Sequence, residues 1–531
     1  MEIFEEINYS EINLLPKLIS DYISGNEEAK AFYSYLPVIS ETENIIQAKK
    51  KEPINRVLLA SIIRKQYHDI EINEEAEKNC SKLQDENTFC IVTAHQLNIF
   101  TGPLYYLIKI ACTISTCRLL QTKYPQYTFV PVYWMGSEDH DFEEINHIHV
   151  YGKKLEWQDK QGGATGHYST DSLLPLITDL QNILGNSADA DFLIELFKTA
   201  YAKNNLAEAT RFLLNNLFGK YGLLCIDGND SELKRQMIPV FLDEIEKQTA
   251  YSLVNEQLAA LEEKNYKQQA YPREINLFYL SKNSRERIIF QTESNLYVIN
   301  NTAISFTKEQ LHVEIENHPE RFSPNVILRP LFQQKVLPSI AYIGGAGELG
   351  YWMQLKTVFD YHQVQFPQIF LRNSVMMLTK NELEKWKNAG FTLADFFKST
   401  DELKKEFIMQ NTAHLTDFSA YKSKLKTIYT DLENEIVTVD TTLKNSVGAE
   451  LQKATQSIDI LEKKTLKSLK QKSETELNRI EKIKNKVFPE GIFQERYDNF
   501  SMYYAKSGNE LIHLLVNSTD VYEPKLLVIG Y

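Results

Sequence analysis

The chain has 531 residues, of which 43% are hydrophobic and 24% charged, and its 29 Tyr and 27 Phe argue for packed cores rather than disorder. At roughly 100–200 residues per domain, the length leaves room for about two to four structural units. A formal net charge of −13 repels a polyphosphate backbone, so nucleic acid is not an expected partner.

Five cysteines, an odd count with no CxxC, give neither a disulfide framework nor a structural zinc knot. The opening MEIFEEINYSEINLLPK is acidic and lacks the basic start and apolar stretch of a secretory signal. No run approaches ~18 consecutive apolar residues, so a membrane span is not expected and the cytoplasm is the default compartment.

Residues 1–80 read as polar and helical, with Ile54–Tyr67 apolar at helical spacing. Thr88–Ala94 is a short β-rich run, Leu104–Leu120 a long apolar helix, and Tyr127–Met135 a second strand. Strand, helix, strand with this burial makes a βαβ unit, so the fold class is α/β with a parallel sheet. Leu223–Asp227, Ser339–Gly344 and Pro367–Leu371 are further strand candidates, and mixed insertions fall near 150–220 and 250–325. The core with its N-terminal helical segment is expected to run over 1–380.

Residues 381–490 differ. From Leu425 through Leu432, Val439, Val447 and Leu461, apolar residues recur every three or four positions among Lys, Glu, Asn, Thr and Ser, a coiled-coil pattern. Gly448 marks a weak spot where the helix can bend, and Pro489 with Gly491 stops it. Such a seam needs a partner, either a returning helix of the same chain or a second subunit. Residues 491–531 are expected to return to the core through the strand-like Lys525–Ile529.

Three segments concentrate chemistry. Thr93–Pro103 follows a strand and opens a helix, placing His95, Gln96, Asn98, Thr101 and Gly102 where N–H groups attract an anion; a tight turn with a satisfied histidine is the plainer reading. Gly136–Asn146 follows the second strand and packs Glu138, Asp139, His140, Asp141, Glu143 and Glu144 together. Such carboxylates suit a substrate ammonium or a general base. A metal is the rival reading, although the spacing matches no zinc signature, and an acid-rich helix N-terminus is the plainer one. Gly345, Gly347 and Gly350 fit G-x-G-x-x-G between a strand and a helix opened by Tyr351. The acid expected after the next strand is missing, and Arg372 stands there instead, which suits NADP. The other reading is a glycine turn that brings backbone and Glu348 to a polar ligand. Arg329 with Gln333, Arg285 with Arg287, and Lys234 with Arg235 are smaller candidates for holding carboxylates or phosphates.

Four runs together resemble the bacillithiol biosynthesis cysteine-adding enzymes, the BshC family: VTAHQLNIFTGPLYYLIKI (92–110), VPVYWMGSEDHDFEEINH (130–147), ILRPLFQQKVLPSIAYIGGAGELGYWMQLKTVF (327–359) and FPEGIFQERYDNF (488–500). The resemblance implies a Rossmann-like core similar to class I aminoacyl-tRNA synthetases, connecting-peptide insertions, and a helical coiled-coil domain that pairs subunits into a homodimer. It implies a ligase adding cysteine to the amine of glucosaminyl malate. A free carboxylate is a poor acyl donor, so ATP with Mg and a cysteinyl adenylate form the natural route. Position then makes His95, Asp139, His140 and Asp141 the catalytic candidates. Thr101–Leu104 is the anion cradle, Glu138, Asp139 and Asp141 the ammonium anchor, and Arg329 or Arg372 the malate partner. Gln96, Asn98, Asn146, Gly345, Gly347, Glu348 and Tyr351 complete the substrate-binding set, and no metal ligand is assigned. The HIGH and KMSKS signatures of class I synthetases are absent, with TGPL at the HIGH location, and Gly-Gly-Ala-Gly-Glu stands where Gly-Pro-Gly-Glu is expected. The competing functions are an NADP-dependent oxidoreductase built on Gly345–Gly350 and a non-catalytic coiled-coil scaffold.

Overall fold

The computed structural model describes residues 1–416 and 418–531; position 417, inside the predicted helical domain, lies outside the described residues. The chain forms two compact units, Met1–Met376 with Gln494–Tyr531, and Met377–Phe493.

The first unit is built on five parallel strands: β1 (Thr88–His95), β2 (Thr128–Met135), β3 (Leu224–Asp227), β4 (Ser339–Gly344) and β5 (Gln368–Leu371). Their order is β5-β4-β1-β2-β3. Both faces of a parallel sheet are covered, which is why TFCIVTA and TFVPVYWM are nearly continuous apolar runs rather than alternating ones. The helix α1 (Tyr105–Lys123) joins β1 to β2 and is buried on most of its circumference, including Lys109. After β3 the chain crosses to the other side of β1 to lay down β4 and then β5. The reversal puts a topological switch point between β1 and β4, and the crevice beyond their carboxyl ends is where open α/β sheets bind ligands.

The insertions are now resolved. One carries the antiparallel ribbon His147–Val150 with Lys153–Glu156 and three helices, Leu174–Leu184, Ala188–Tyr201 and Leu206–Phe218. The other folds into an antiparallel five-stranded sheet that includes Leu277–Leu280, Arg285–Gln291 and Phe322–Pro324. Lys525–Gly530 pairs antiparallel with Glu2–Asn8. Among the described residues no helix is long and apolar enough to cross a membrane.

The second unit is helical: Thr400–Thr416, Ser419–Val439, Lys444–Lys472 and Glu474–Val487. The chain turns back at Asp440–Leu443, where Asp440 leaves helical geometry (φ −153°, ψ 111°) and its carboxylate accepts from Thr442 N. Lys422 then meets Asp459 at 2.7 Å and Glu462 at 2.6 Å, and Lys444 meets Glu433, so the two helices form an antiparallel hairpin. The bend expected at Gly448 is therefore placed ahead of it. Gly448 lies inside a helix, and a side-chain Asp cap rather than glycine flexibility makes the turn. The hairpin does not cover its whole apolar seam: Ile428, Val439 and Leu461 remain exposed.

Candidate functional site

The crevice at the switch point is a cavity of about 1220 Å³, walled by residues of the first unit alone. Its walls are the loops that follow the parallel strands together with insertion residues from 269–287 and 324–329.

His95 ends β1. Its Nδ1 lies 3.2 Å from the Gln96 carbonyl, which can only accept, so Nδ1 donates and Nε2 accepts from Tyr105 Oη at 2.8 Å. Burial, with the Lys109 charge behind it, pushes the ring down to about 4. His95 is thus a neutral hydrogen-bond relay with both nitrogens engaged, not a free base. Gln96 ties this wall to the next, donating to Asp139 Oδ2 at 2.7 Å and Glu144 Oε2 at 2.6 Å.

The expected anion cradle is elsewhere occupied. Phe100, Thr101 and Gly102 all adopt positive φ (49°, 65° and 66°). Asn499 Nδ2 donates to the carbonyls of Phe100 and Gly102, Gly102 N bonds Ile99 O, and Leu104 N bonds Asp498 O. The chain's own 498–499 segment fills the place of an anion. Only glycine fits at 102, since a Cβ there would lie 2.7 Å from Asn98 Cβ. Asn98, Thr101 and Gly102 do not line the cavity, nor does Asn146, whose Oδ1 meets His147 Nδ1.

The loop after β2 forms the acidic wall. Glu138 is neutralised by buried Lys234, which also donates to Asn229 and to Glu320 O. Asp139 Oδ1 accepts from the N–H groups of His140 and Asp141. Burial would raise the Asp139 carboxyl, but Arg285, Gln96 and these N–H groups outweigh it and hold it below the usual carboxylate range. Asp141 caps the short helix Phe142–Ile145. Among the described residues Asp141 and Glu143 line the cavity without an ion-pair partner. Of the predicted anchor only Asp141 is open, and Glu143 joins it.

The turn after β4 leads into α2 (Ala346–Met353). Glu348 accepts from Gly345 N at 3.0 Å, Tyr342 Oη at 2.6 Å and Lys109 Nζ at 2.7 and 2.9 Å. Burial opposes its charge, but Lys109, Tyr342 and Gly345 N hold it at about 2. The glycines serve the chain itself: a Cβ on Gly350 would meet Gln269 Cγ at 2.8 Å, and Gly347 also faces Gln269. Gln354 clamps that loop, accepting from Gln269 N and donating to Ala270 O. A loop of the protein thus sits against two glycines of the supposed dinucleotide fingerprint.

Arg372 is not free either. It forms a bidentate pair with Glu495 at 2.7 and 3.1 Å, both side chains buried. Burial disfavours the charge, yet Glu495 more than compensates and pushes the guanidinium upward. Neither a 2′-phosphate nor a malate has this fork to itself. Arg329 bonds Gln333 Oε1 and Tyr351 Oη and has no carboxylate ion-pair partner among the described residues. Arg273 and Arg496 also line the cavity without one.

Lys109, Tyr105, Arg273, Glu495 and Arg496 were not singled out from the sequence. Lys109 had a visible signal, a lone cation inside the apolar helix YYLIKIAC. The others had none, because their role depends on partners far away along the chain.

The family model described as the N-terminal Rossmann-like domain of bacillithiol biosynthesis BshC matches residues 1–373, and that for its C-terminal coiled-coil domain matches 375–530. Among relatives, proteins named "Putative cysteine ligase BshC" are 42% identical in Flavobacterium johnsoniae, over 98% of this chain and 99% of that protein, and 42% identical in Flavobacterium psychrophilum, over 96% of each. One of the same name in Bacillus cereus is 26% identical over 96% of this chain and 97% of its own length.

Proposed function

The chain belongs to the bacillithiol biosynthesis BshC family, and from that premise we propose that it is a ligase joining cysteine to the amine of glucosaminyl malate through an amide bond. One observation carries the reading: the cavity divides its charge. Unpaired carboxylates, Asp141 and Glu143, follow β2, while Arg329 and Arg496, guanidinium groups without carboxylate partners, stand with the β4 turn and the returning chain. Two interstrand spacings of ~4.8 Å separate β2 from β4, so the walls stand ~10 Å apart. An amino acid presents an ammonium to the first wall, and a malate presents carboxylates to the second.

Amide formation from a free carboxylate needs a better leaving group than oxide. Activation by Mg-ATP through a cysteinyl adenylate supplies one, and Arg273, the cavity guanidinium not given to the malate, is the residue that would hold its phosphates. Use of the Gly102 and Leu104 N–H groups by the carbonyls of Ile99 and Asp498 removes the cradle first expected for them. Glu348, kept ionised by Lys109, lines the same space as a fixed negative charge. The compartment we infer is the cytoplasm. Exposed Ile428, Val439 and Leu461 favour pairing of two copies through the helical hairpin.

The test is purified protein with cysteine and glucosaminyl malate, with and without Mg-ATP, read by mass. ATP-dependent thiol product with AMP release supports both substrate and route. Product without ATP sinks the adenylate. No product in either case sinks the ligase reading for the isolated chain.

A further inference from the structure

The acidic wall contains one group that is neither acid nor base. His140 lines the cavity, and its Nδ1 lies 3.1 Å from Arg285 Nη1. Arginine carries five N–H donors and no acceptor, and it keeps its charge in proteins. The imidazole must therefore offer a lone pair at Nδ1, which leaves its proton on Nε2. Arg285 cannot swing away to allow the other tautomer. Its Nε donates to Ser323 Oγ at 3.0 Å, its Nη2 to Pro324 O at 3.2 Å, and its plane rests 4.0 Å from the centre of the Phe278 ring. The His140 ring packs on the same phenyl, with centroids 5.5 Å apart. His140 Nε2 has no partner among the described residues.

Resting on the ligase reading above, we infer that His140 presents a neutral Nε2–H to the carboxyl oxygen of the amino-acid substrate, with Arg285 as the positioning residue that sets its tautomer. The need for such a donor follows from the wall itself. Asp141 and Glu143 attract the substrate ammonium but repel the carboxylate one bond further on. A neutral donor in the same loop accepts that oxygen without cancelling the field that holds the ammonium. A protonated ring would put an N–H against the guanidinium and break the Arg285 contact. Asp139, Asp141 and Glu286 also face the ring and favour the imidazolium, yet burial and Arg285 prevail and lower its affinity for a proton.

The experiment uses the full chain labelled with ¹⁵N-histidine and reads ring protonation by long-range ¹⁵N–¹H correlation, with His140 assigned from its missing signals in His140→Asn. At pH 6 an unperturbed histidine is about three-quarters protonated. His140 is expected to remain neutral there with the proton on Nε2, and Arg285→Met, which removes both the donor and the charge, to move it towards ordinary titration. Added L-cysteine is expected to shift the Nε2 resonance, and cysteamine, which keeps the ammonium and thiol but lacks the carboxyl, to leave it in place. An imidazolium or an Nδ1–H ring at pH 6 overturns the inference alone. Equal shifts with both probes overturn the carboxyl assignment. If calorimetry shows no cysteine binding at all, the cysteine-ligase reading falls with that assignment, while the tautomer result stands on its own. In the ligation assay, Arg285→Met is expected to raise the KM for cysteine about tenfold, the worth of one hydrogen bond, with kcat little changed.

Discussion

The Lys109–Glu348 pair sits under the cavity floor and offers a quantitative test of how this site is held. Lys109 is 1% exposed and Glu348 25% exposed at the side chain, with 2.7 Å between them, and Lys109 also donates to the Ala94 carbonyl at the end of β1. Lys109→Met leaves a buried carboxylate without its ion-pair partner, with Arg329 the remaining charge that acts on it from further off. Breaking a buried pair from one side typically costs 3–5 kcal/mol. Glu348 keeps its bonds from Tyr342 and Gly345 N, so the low end, ~3 kcal/mol, applies. Removing both charges with Lys109→Met/Glu348→Gln leaves no orphan and is expected to cost only ~1–2 kcal/mol, a coupling well outside additivity. At ~2.1 cal/mol/K per residue, a unit of ~400 residues shifts by about 1 °C per kcal/mol, so the single variant melts ~3 °C lower and the double variant ~1–2 °C lower. The pH dependence has a definite sign. In the native protein the Glu348 carboxyl is depressed to about 2, so its contribution is present above the unfolded value of ~4.5 and fades as pH falls towards 2. Without Lys109 the carboxyl is depressed less, held by Tyr342 and Gly345 N against its burial. The deficit of Lys109→Met relative to wild type therefore narrows on acidification from pH 7 to pH 4. Unfolding followed by circular dichroism across that range reads both quantities. Single and double variants that lose the same stability, with parallel pH curves, refute the coupling.

Three further outcomes follow from the same geometry. His95 titrates near 4 in the folded chain against ~6.5 unfolded, so stability falls as pH drops from 6.5 towards 4; the wild type should lose up to ~3 kcal/mol more than His95→Asn over that interval, and parallel unfolding curves would contradict it. Asn499→Ala strips the donor from two carbonyls of the left-handed turn and should cost ~2–3 kcal/mol, whereas Gly448→Ala, in open space on a helix, should stabilise the helical unit by ~0.5–1 kcal/mol; calorimetry of the two variants shows whether the signs are opposite. All five cysteines are buried and reduced, and burial pushes Cys80 up to about 11 and Cys90 and Cys225 to about 12, so a thiol reagent should label none rapidly in the native protein and all five after unfolding.

Much of this molecule is written locally. Continuous apolar runs at 88–94 and 127–135 with an apolar helix between them suffice for a parallel sheet, because only a strand covered on both faces can be apolar at every position. The order of the strand-end loops along the chain, and the density of acids in 138–144, point to one sheet edge as the site. The apolar seam of the helical unit is legible for the same reason, since periodicity records which face must be covered.

Periodicity does not record by what, and the tertiary structure decided every partner. Whether the N–H group that opens α1 meets an anion or the chain depended on the Asp498 carbonyl, some four hundred residues away. Arg372 reads from sequence as a free fork until Glu495 arrives to fill it, and His140 as a base until Arg285 takes its lone pair. A charged or polar side chain acquires its role from what lies within a few ångströms, where desolvation and one hydrogen bond shift its protonation by several kcal/mol. Sequence determined where burial must occur; only the folded chain brought the partners that set each buried charge.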